Sequence, residues 1–471
     1  MNGTRWEGLS PAAWRMAAAA GLAAGIVYVL SPLTMGFALV MVLLVRWAAN
    51  DLTGSERRWI VAMLIVAIAL RALAIAGLFA STDHDKVPFA VFFGDEEFYI
   101  RRSIWMRNLA FGLPLHTADL IYMFDETGRT SHLYVLAFAQ ALVGPSPYGV
   151  HLLGCTFFLS AAVLLYRQVR ASFGRMPAAV GLTALLFLPS LFAWSVSALK
   201  EPLYFLLTAS SVVLAAKLLH REAWRVRVGA ALAVVLLAAA IETIRSAGGI
   251  LSAAGVLGGL AIAMFVRRPR LLLVTVMVLP LALGAVLSRP SMQLAAYNAV
   301  QAAARQHWGH VATSGYVYRL LDRRFYPDQS EISDMQFAEA GRFVVRAVER
   351  YITVPLPWEM QSKAMLAYLP EQVLWYLIVI LAVPGVLVAM RRDVPVASLL
   401  LAHALVAALT VALTSGNVGT LVRHRGLALP YLLWLSAVAF CELVRWADDR
   451  RRDGFSIVPA GWGLHTHADS R

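Results

Sequence analysis

Apolar residues along this chain come in long runs, not at the spacing of an amphipathic soluble fold. Segments 228–244, 247–266 and 271–288 are near-continuous Ala, Val, Leu, Ile and Gly, which suits helices solvated by lipid. None shows the two-residue alternation of a membrane β-barrel. Runs of roughly 16–22 residues predict spans at 14–31, 33–48, 59–80, 147–167, 177–197, 201–219, 228–245, 247–266, 271–288, 371–390, 395–413 and 426–446. The expected fold class is therefore an all-α polytopic membrane protein. A single membrane domain over 1–471 would hold about twelve transmembrane helices.

Polar residues then set the topology. Segment 14–46 reads as one long helix, as a hairpin turning at Ser31-Pro32, or as a signal peptide behind Arg5 and Arg15. With the hairpin, the cytoplasm receives Arg46/Arg57/Arg58, Arg167/Arg170/Arg175, Lys217/Arg221/Arg225/Arg227, Arg267/Arg268/Arg270, Arg391/Arg392 and Arg445/Arg450/Arg451/Arg452. With one span there, every cluster would face outward. The positive-inside rule selects the hairpin and places both termini in the cytoplasm. Two long outer loops follow, 81–146 and 289–370, with a cytoplasmic tail at 447–471. Stretches 99–110 and 335–351 are amphipathic and suit interfacial helices, with Trp105 and Tyr351 at headgroup depth.

Composition agrees: 59% of residues are hydrophobic and 15% charged, against about 25% charged in soluble domains. A net charge of +13 would suggest nucleic acid in a soluble protein. Here the arginines mark topology, so the expected environment is the lipid bilayer and no nucleic-acid partner is expected. Cys155 and Cys441 fall inside spans and imply no disulfide. Gly255 and Gly259 have the spacing of close helix packing. Arg71, in mid-span, reads as a buried structural partner. No Walker A loop, Gly-x-Ser-x-Gly elbow or His-Glu-x-x-His occurs. His307 and His310 lack a neighbouring Cys or carboxylate cluster and read as ordinary loop histidines.

Candidate chemistry begins at 92–102, FFGDEEFYIRR. Asp95 reads as a helix N-cap, with Glu96 and Glu97 favourable to the dipole in the first turn. A carboxylate held at the interface is also placed to act as a general base. Charged groups recur at the same outer level. Lys200 and Glu201 open one span, Glu242 and Arg245 share a helix face and could pair, and Arg423-His424-Arg425 precede the last span. Charges at such depth are expensive and mark either a site or pairs that hold helices together. A carboxylate cluster facing a ring of Lys and Arg suits chemistry on a lipid-linked phosphate.

These features resemble the GT-C superfamily of integral membrane glycosyltransferases, of the bacterial protein-mannosyltransferase and aminoarabinose-transferase type. Asp95-Glu96 matches the family's early Asp-Glu pair, with Phe98 or Tyr99 as the following aromatic. Thr130-Ser131-His132-Leu133-Tyr134 keeps the family's Leu-Tyr but lacks its two prolines. ALVGPSPYGVHLLG, the span ending YRQVRASFGR, and SALKEPLYFLL look like its continuation, so the likeness covers about 95–220. The resemblance implies inverting transfer from a polyprenyl-phosphate sugar donor on the periplasmic face of a bacterial inner membrane. Asp95 would be the general base. Glu96 would assist it, orient the acceptor or hold a divalent metal ion. Lys200, Arg245, Arg423 and Arg425 would hold the lipid phosphate, with Glu201, Glu242 and His424 as further candidates. The acceptor, whether protein, lipid or glycan, is left open, and no nucleotide site is expected. Two rivals stand beside this reading: an O-antigen polymerase or ligase working through outer-loop arginines, and a lipid-linked sugar transporter or flippase. The chain shows no inverted repeat of a secondary transporter.

The topology is tested by reporter fusions. Fusions at Gly128 and Ser330 should report the non-cytoplasmic side and one at Gly454 the cytoplasm; a cytoplasmic signal from Gly128 overturns the scheme.

Overall fold

The computed structural model describes residues 10–30, 32–81, 93–124, 130–144, 148–220, 222–313, 315–360 and 362–454. Ser31, Arg5, Arg221, most of the apolar run before Asp95 and the tail 455–471 lie outside the described residues. Among those described, regular structure is helical apart from an isolated bridge between Val317 and Asn417. The first helices are α1 (Pro11–Leu30), α2 (Pro32–Ala49) and α3 (Gly54–Ala80). Three shorter helices, α4 (Gly94–Ala110), α5 (Thr117–Phe124) and α6 (Ser131–Val143), occupy the first long loop. Then come α7 (Gly149–Phe173), α8 (Arg175–Phe187), α9 (Pro189–Ser195), α10 (Glu201–Leu219), α11 (Trp224–Ile244), α12 (Gly248–Arg267) and α13 (Pro269–Leu287). The last are α14 (Pro290–Val311), α15 (Phe337–Thr353), α16 (Lys363–Arg392), α17 (Val394–Thr414), α18 (Val418–Arg425) and α19 (Leu429–Gly454).

Among the described residues, nine helices are long and apolar enough to cross a membrane: α2, α3, α7, α10, α11, α12, α16, α17 and α19. Two further expected spans are bent, at 67° between α8 and α9 and at 93° between α13 and α14, which gives up to eleven. The protein is thus a polytopic helical membrane protein. α1 is helical but is not among these spans.

The α8–α9 break has a local cause. Pro189 has no N–H to continue the ladder, and the groups freed beside it find charged partners. Leu186 O accepts from Arg71 Nη2 at 2.9 Å, and Ser190 N–H donates to the Glu371 carboxylate at 3.1 Å. Arg71 also donates to Ser195 Oγ at 2.7 Å and lies over the Phe192 ring at 4.9 Å. It is the structural residue the sequence suggested, tying α3 to the broken span.

Helix packing relies on glycine where backbones meet. A Cβ on Gly255 would lie 2.8 Å from the His403 ring, and one on Gly259 would lie 2.8 Å from Leu399 Cα. These two positions let α12 approach α17, as their spacing predicted. Cys155 and Cys441 are both free and buried.

One end of the bundle gathers α4–α6, the starts of α10 and α12, and α18. At the other end Arg170 pairs with Glu56, Arg392 with Glu442, and Arg267 Nη1 donates to Leu219 O. The amphipathic stretches do form helices, α4 and α15. Tyr351, however, is buried at 5% exposure instead of sitting at headgroup depth, because α15 packs its apolar face against α14, α16 and α17. His307 and His310 lie on α14, where their Nδ1 atoms reach Ser415 O at 3.1 Å and Thr414 O at 2.7 Å. They occupy carbonyls at the end of α17 that the helix itself leaves open.

Gly259→Val should therefore destabilise the protein by about 1–3 kcal/mol through overpacking, read as a lowered thermal midpoint in detergent. Gly284→Val, where an added Cβ meets nothing within 4 Å, should leave the midpoint unchanged.

Candidate active site

The DEE run starts α4, but its three carboxylates separate into three environments. The N-cap position falls on Phe93, so Asp95 is not the cap the sequence suggested. Glu96, one residue further, reaches back instead: its Oε1 accepts the Phe93 N–H at 2.8 Å, the reciprocal half of a capping box. Glu97 turns outward and pairs with Arg101 one turn on. Asp95 is thereby free to project from the first turn, with its side chain 63% exposed.

Glu96 is fully buried, and its second oxygen determines the neighbouring segment. Oε2 accepts the Ala198 N–H at 3.0 Å, and His151 Nδ1 lies 3.4 Å from it. The irregular stretch 196–200 between α9 and α10 is pinned by two further contacts. His151 Nδ1 is 2.9 Å from Val196 O, and His132 Nε2 is 3.0 Å from Ala198 O. The bend also presses onto α7 at Gly154, where a Cβ would come within 2.3 Å of Ser197 O. Burial holds His132 well below its usual range, to about 4, so it is a neutral donor to the Ala198 carbonyl. The bend delivers Lys200 and Glu201 to the start of α10.

Arg423 from α18 completes the centre. Its Nη1 donates to Asp95 Oδ2 at 2.7 Å and its Nη2 to Glu201 Oε1 at 3.2 Å. Lys200 is held below the usual lysine range, first by burial and then by the charges of Arg245 and Arg423, against the pull of Glu201. His424 is pushed well below its ordinary value by burial and by Arg245 and Arg423. The Tyr99 phenol is raised to about 12, by burial and then by Glu201 and Asp95. Arg423 thus joins Asp95 to Glu201, Lys200 adjoins Glu201, and Arg245 and His424 lie within electrostatic reach of this group. Among the described residues, the ends of the Lys200 and Arg245 side chains have no hydrogen-bond partner, and neither do Arg423 Nε and Glu201 Oε2. Beneath Arg245 a small recess of about 30 Å³ is walled by Tyr204, Thr208, Ser252, His403 and Tyr431 together with Leu251, Val406 and Leu427. The buried His403 Nε2 has no partner there.

Three of the expected site residues take other positions. Arg425 leaves the cluster, since residues two apart on a helix point to opposite sides. It is 2% exposed, donates to Tyr351 O and to Gln372 Oε1 at 2.9 Å, and lies 4.6 Å above the Trp375 ring. Glu242 does not pair with Arg245. Its oxygens accept the N–H groups of Ala247 at 2.8 Å and Gly249 at 2.9 Å, closing the turn into α12. Glu96 has an oxygen facing each of two N–H donors, and such positive ends do not suit a metal ligand. Among the described residues no group of three or more His, Cys, Asp or Glu is arranged to hold a metal ion. Sequence reasoning missed His132 and His151, whose backbone partners lie far along the chain. It also missed Tyr204, which the i, i+3 spacing from Glu201 would have signalled.

No protein-family model, curated protein or solved structure matches this chain.

Glu96→Gln replaces one acceptor by an amide N–H facing a backbone donor. The variant should lose about 1–3 kcal/mol of stability, read as a lowered thermal midpoint; an unchanged midpoint means that this carboxylate does not hold the bend.

Proposed function

We propose that the protein is a membrane glycosyltransferase that takes a sugar from a polyprenyl-phosphate donor and passes it to an acceptor hydroxyl. The site end would face the periplasm of a bacterial inner membrane, with both termini cytoplasmic. One observation carries this reading: among the described residues Lys200 and Arg245 have no hydrogen-bonded partner, and they stand beside an arginine shared by two carboxylates. Such a site attracts an anion, and a lipid phosphate is the anion that reaches a membrane interface. In the reaction the acceptor oxygen bonds to the sugar's anomeric carbon as the bond from that carbon to the phosphate breaks. Asp95 takes the acceptor's proton, and Lys200, Arg245 and Arg423 stabilise the charge left on the phosphate. Attack opposite the departing phosphate inverts the configuration. Beneath Arg245 the Tyr204 and Ser252 side chains line the recess, while Tyr431 donates to Thr208 Oγ1. Glu96 positions the site and does not take the proton.

A second reading, movement of a lipid-linked anion across the membrane, draws support from the broken span α8–α9 and its charged supports Arg71 and Glu371. It predicts donor translocation in vesicles without turnover.

Asp95→Asn should fold and insert, because Glu96 provides the cap contact. Transfer in membranes from a polyprenyl-phosphate sugar should fall at least about a hundredfold, chiefly in kcat. Lys200→Met should lower kcat/KM for the donor by at least about tenfold, with a fall in kcat, because it removes a charge that stabilises the departing phosphate. Full activity of normally expressed Asp95→Asn overturns the base assignment.

A further inference from the structure

The end of the bundle remote from the charged site carries a groove that the proposed chemistry does not use. Both α3 and α8 begin there, and they touch where Thr183 Oγ1 lies 3.3 Å from Met63 Sδ. Beside this contact a groove of about 1390 Å³, its open side included, runs toward their first turns. Ile60, Ala179, Val180 and Ala184 make its wall apolar, while Ser55, Trp59 and Arg175 stand at its mouth. α3 is a membrane-crossing helix, so the apolar wall belongs to the hydrocarbon region and the mouth to the headgroup level.

The charge at the mouth is unbalanced. Glu56 is the acid on the lining, and both its oxygens are already held by Arg170, at 2.6 and 3.0 Å. Arg175 makes no side-chain hydrogen bond or ion pair among the described residues. Arg175 therefore presents at the mouth a guanidinium with no hydrogen-bonded partner among the described residues, within electrostatic reach of a Glu56 carboxylate that Arg170 already holds, next to a slot lined for a hydrocarbon chain. We propose that this groove seats a phospholipid with an anionic head group. Its phosphate lies against Arg175 and Ser55, and an acyl chain lies along Ile60, Val180 and Ala184. The groove commits to a lipid because a free anion leaves the apolar wall uncovered and a second copy's apolar helix leaves Arg175 unpaired. The inference uses no residue of the glycosyl-transfer site and stands or falls separately from it.

The test is native mass spectrometry of the full-length protein in detergent, titrated with phosphatidylglycerol and with phosphatidylcholine of identical chains. Phosphatidylglycerol should bind about fivefold more tightly, the factor expected from one basic side chain at a headgroup. Arg175→Gln should remove the preference and Arg175→Lys should keep it. Ala179→Trp, which fills the slot, should weaken retention of both lipids; circular dichroism and thermal midpoint confirm that each variant is folded. Equal binding of the two lipids by the natural chain overturns the proposal, as does an unaltered preference in Arg175→Gln. Displacement of the bound lipid by inorganic phosphate alone, or a dimer in place of a lipid-bound monomer, also overturns it.

Discussion

Glu96 accepts one backbone N–H on each carboxylate oxygen, from Phe93 at the start of α4 and from Ala198 in the bend before α10. Those two points are a hundred residues apart in sequence, and each lies within three residues of a charged group of the site. Asp95 projects correctly because α4 starts where Glu96 fixes it. Lys200 and Glu201 arrive together because the bend is held at Ala198. A buried carboxylate is expensive unless it is well hydrogen-bonded, and here the donors are backbone groups that also need partners. His132, His151 and Gly154 reinforce the same bend, two by binding its carbonyls and one by having no side chain to obstruct it.

Around this clamp the arginines divide by what they face. Arg71 and Arg425 are spent on backbone carbonyls where helices break or end, under aromatic rings that cover their flat faces. Arg423 faces two carboxylates, and Arg245 lines a small recess of mixed polar and apolar side chains. In a low-dielectric setting the first kind fixes architecture, whereas Arg423 joins two carboxylates and Arg245 is left without a hydrogen-bonded partner among the described residues. Neighbours on one short helix, Arg423 and Arg425, illustrate both.

Much of this was legible in the residues. Unbroken apolar runs located the nine long spans, and the two remaining bent pairs also began as apolar runs, because hydropathy registers composition and not the angle at Pro189 or Pro290. Asp95, Lys200, Glu201, Arg245 and Arg423 could be gathered from their shared depth at helix ends. Depth alone did not separate Arg423 from Arg425, a matter of helical phase. It could not separate Asp95 from Glu96 either, since the choice of capping residue depends on where the chain before α4 turns. The contacts of His132 and His151 with the bend join distant segments, and periodicity carries no information about such pairs. Glu242 was visible as a charge, but its true partners are backbone N–H groups of a turn around Ala247, a non-glycine residue in the left-handed region at φ 62°.

The ion pairs of Arg423 with Asp95 and Glu201 join one residue to two made 328 and 222 positions earlier. A ribosome synthesising this protein completes α4 and α10 long before α18 exists. Until then the nascent chain holds Asp95 and Glu201 without the guanidinium that links them. The assembled centre forms only once α18 has been made and inserted, and a chain that stops before α18 would carry Asp95 and Glu201 without the ion pairs that join them.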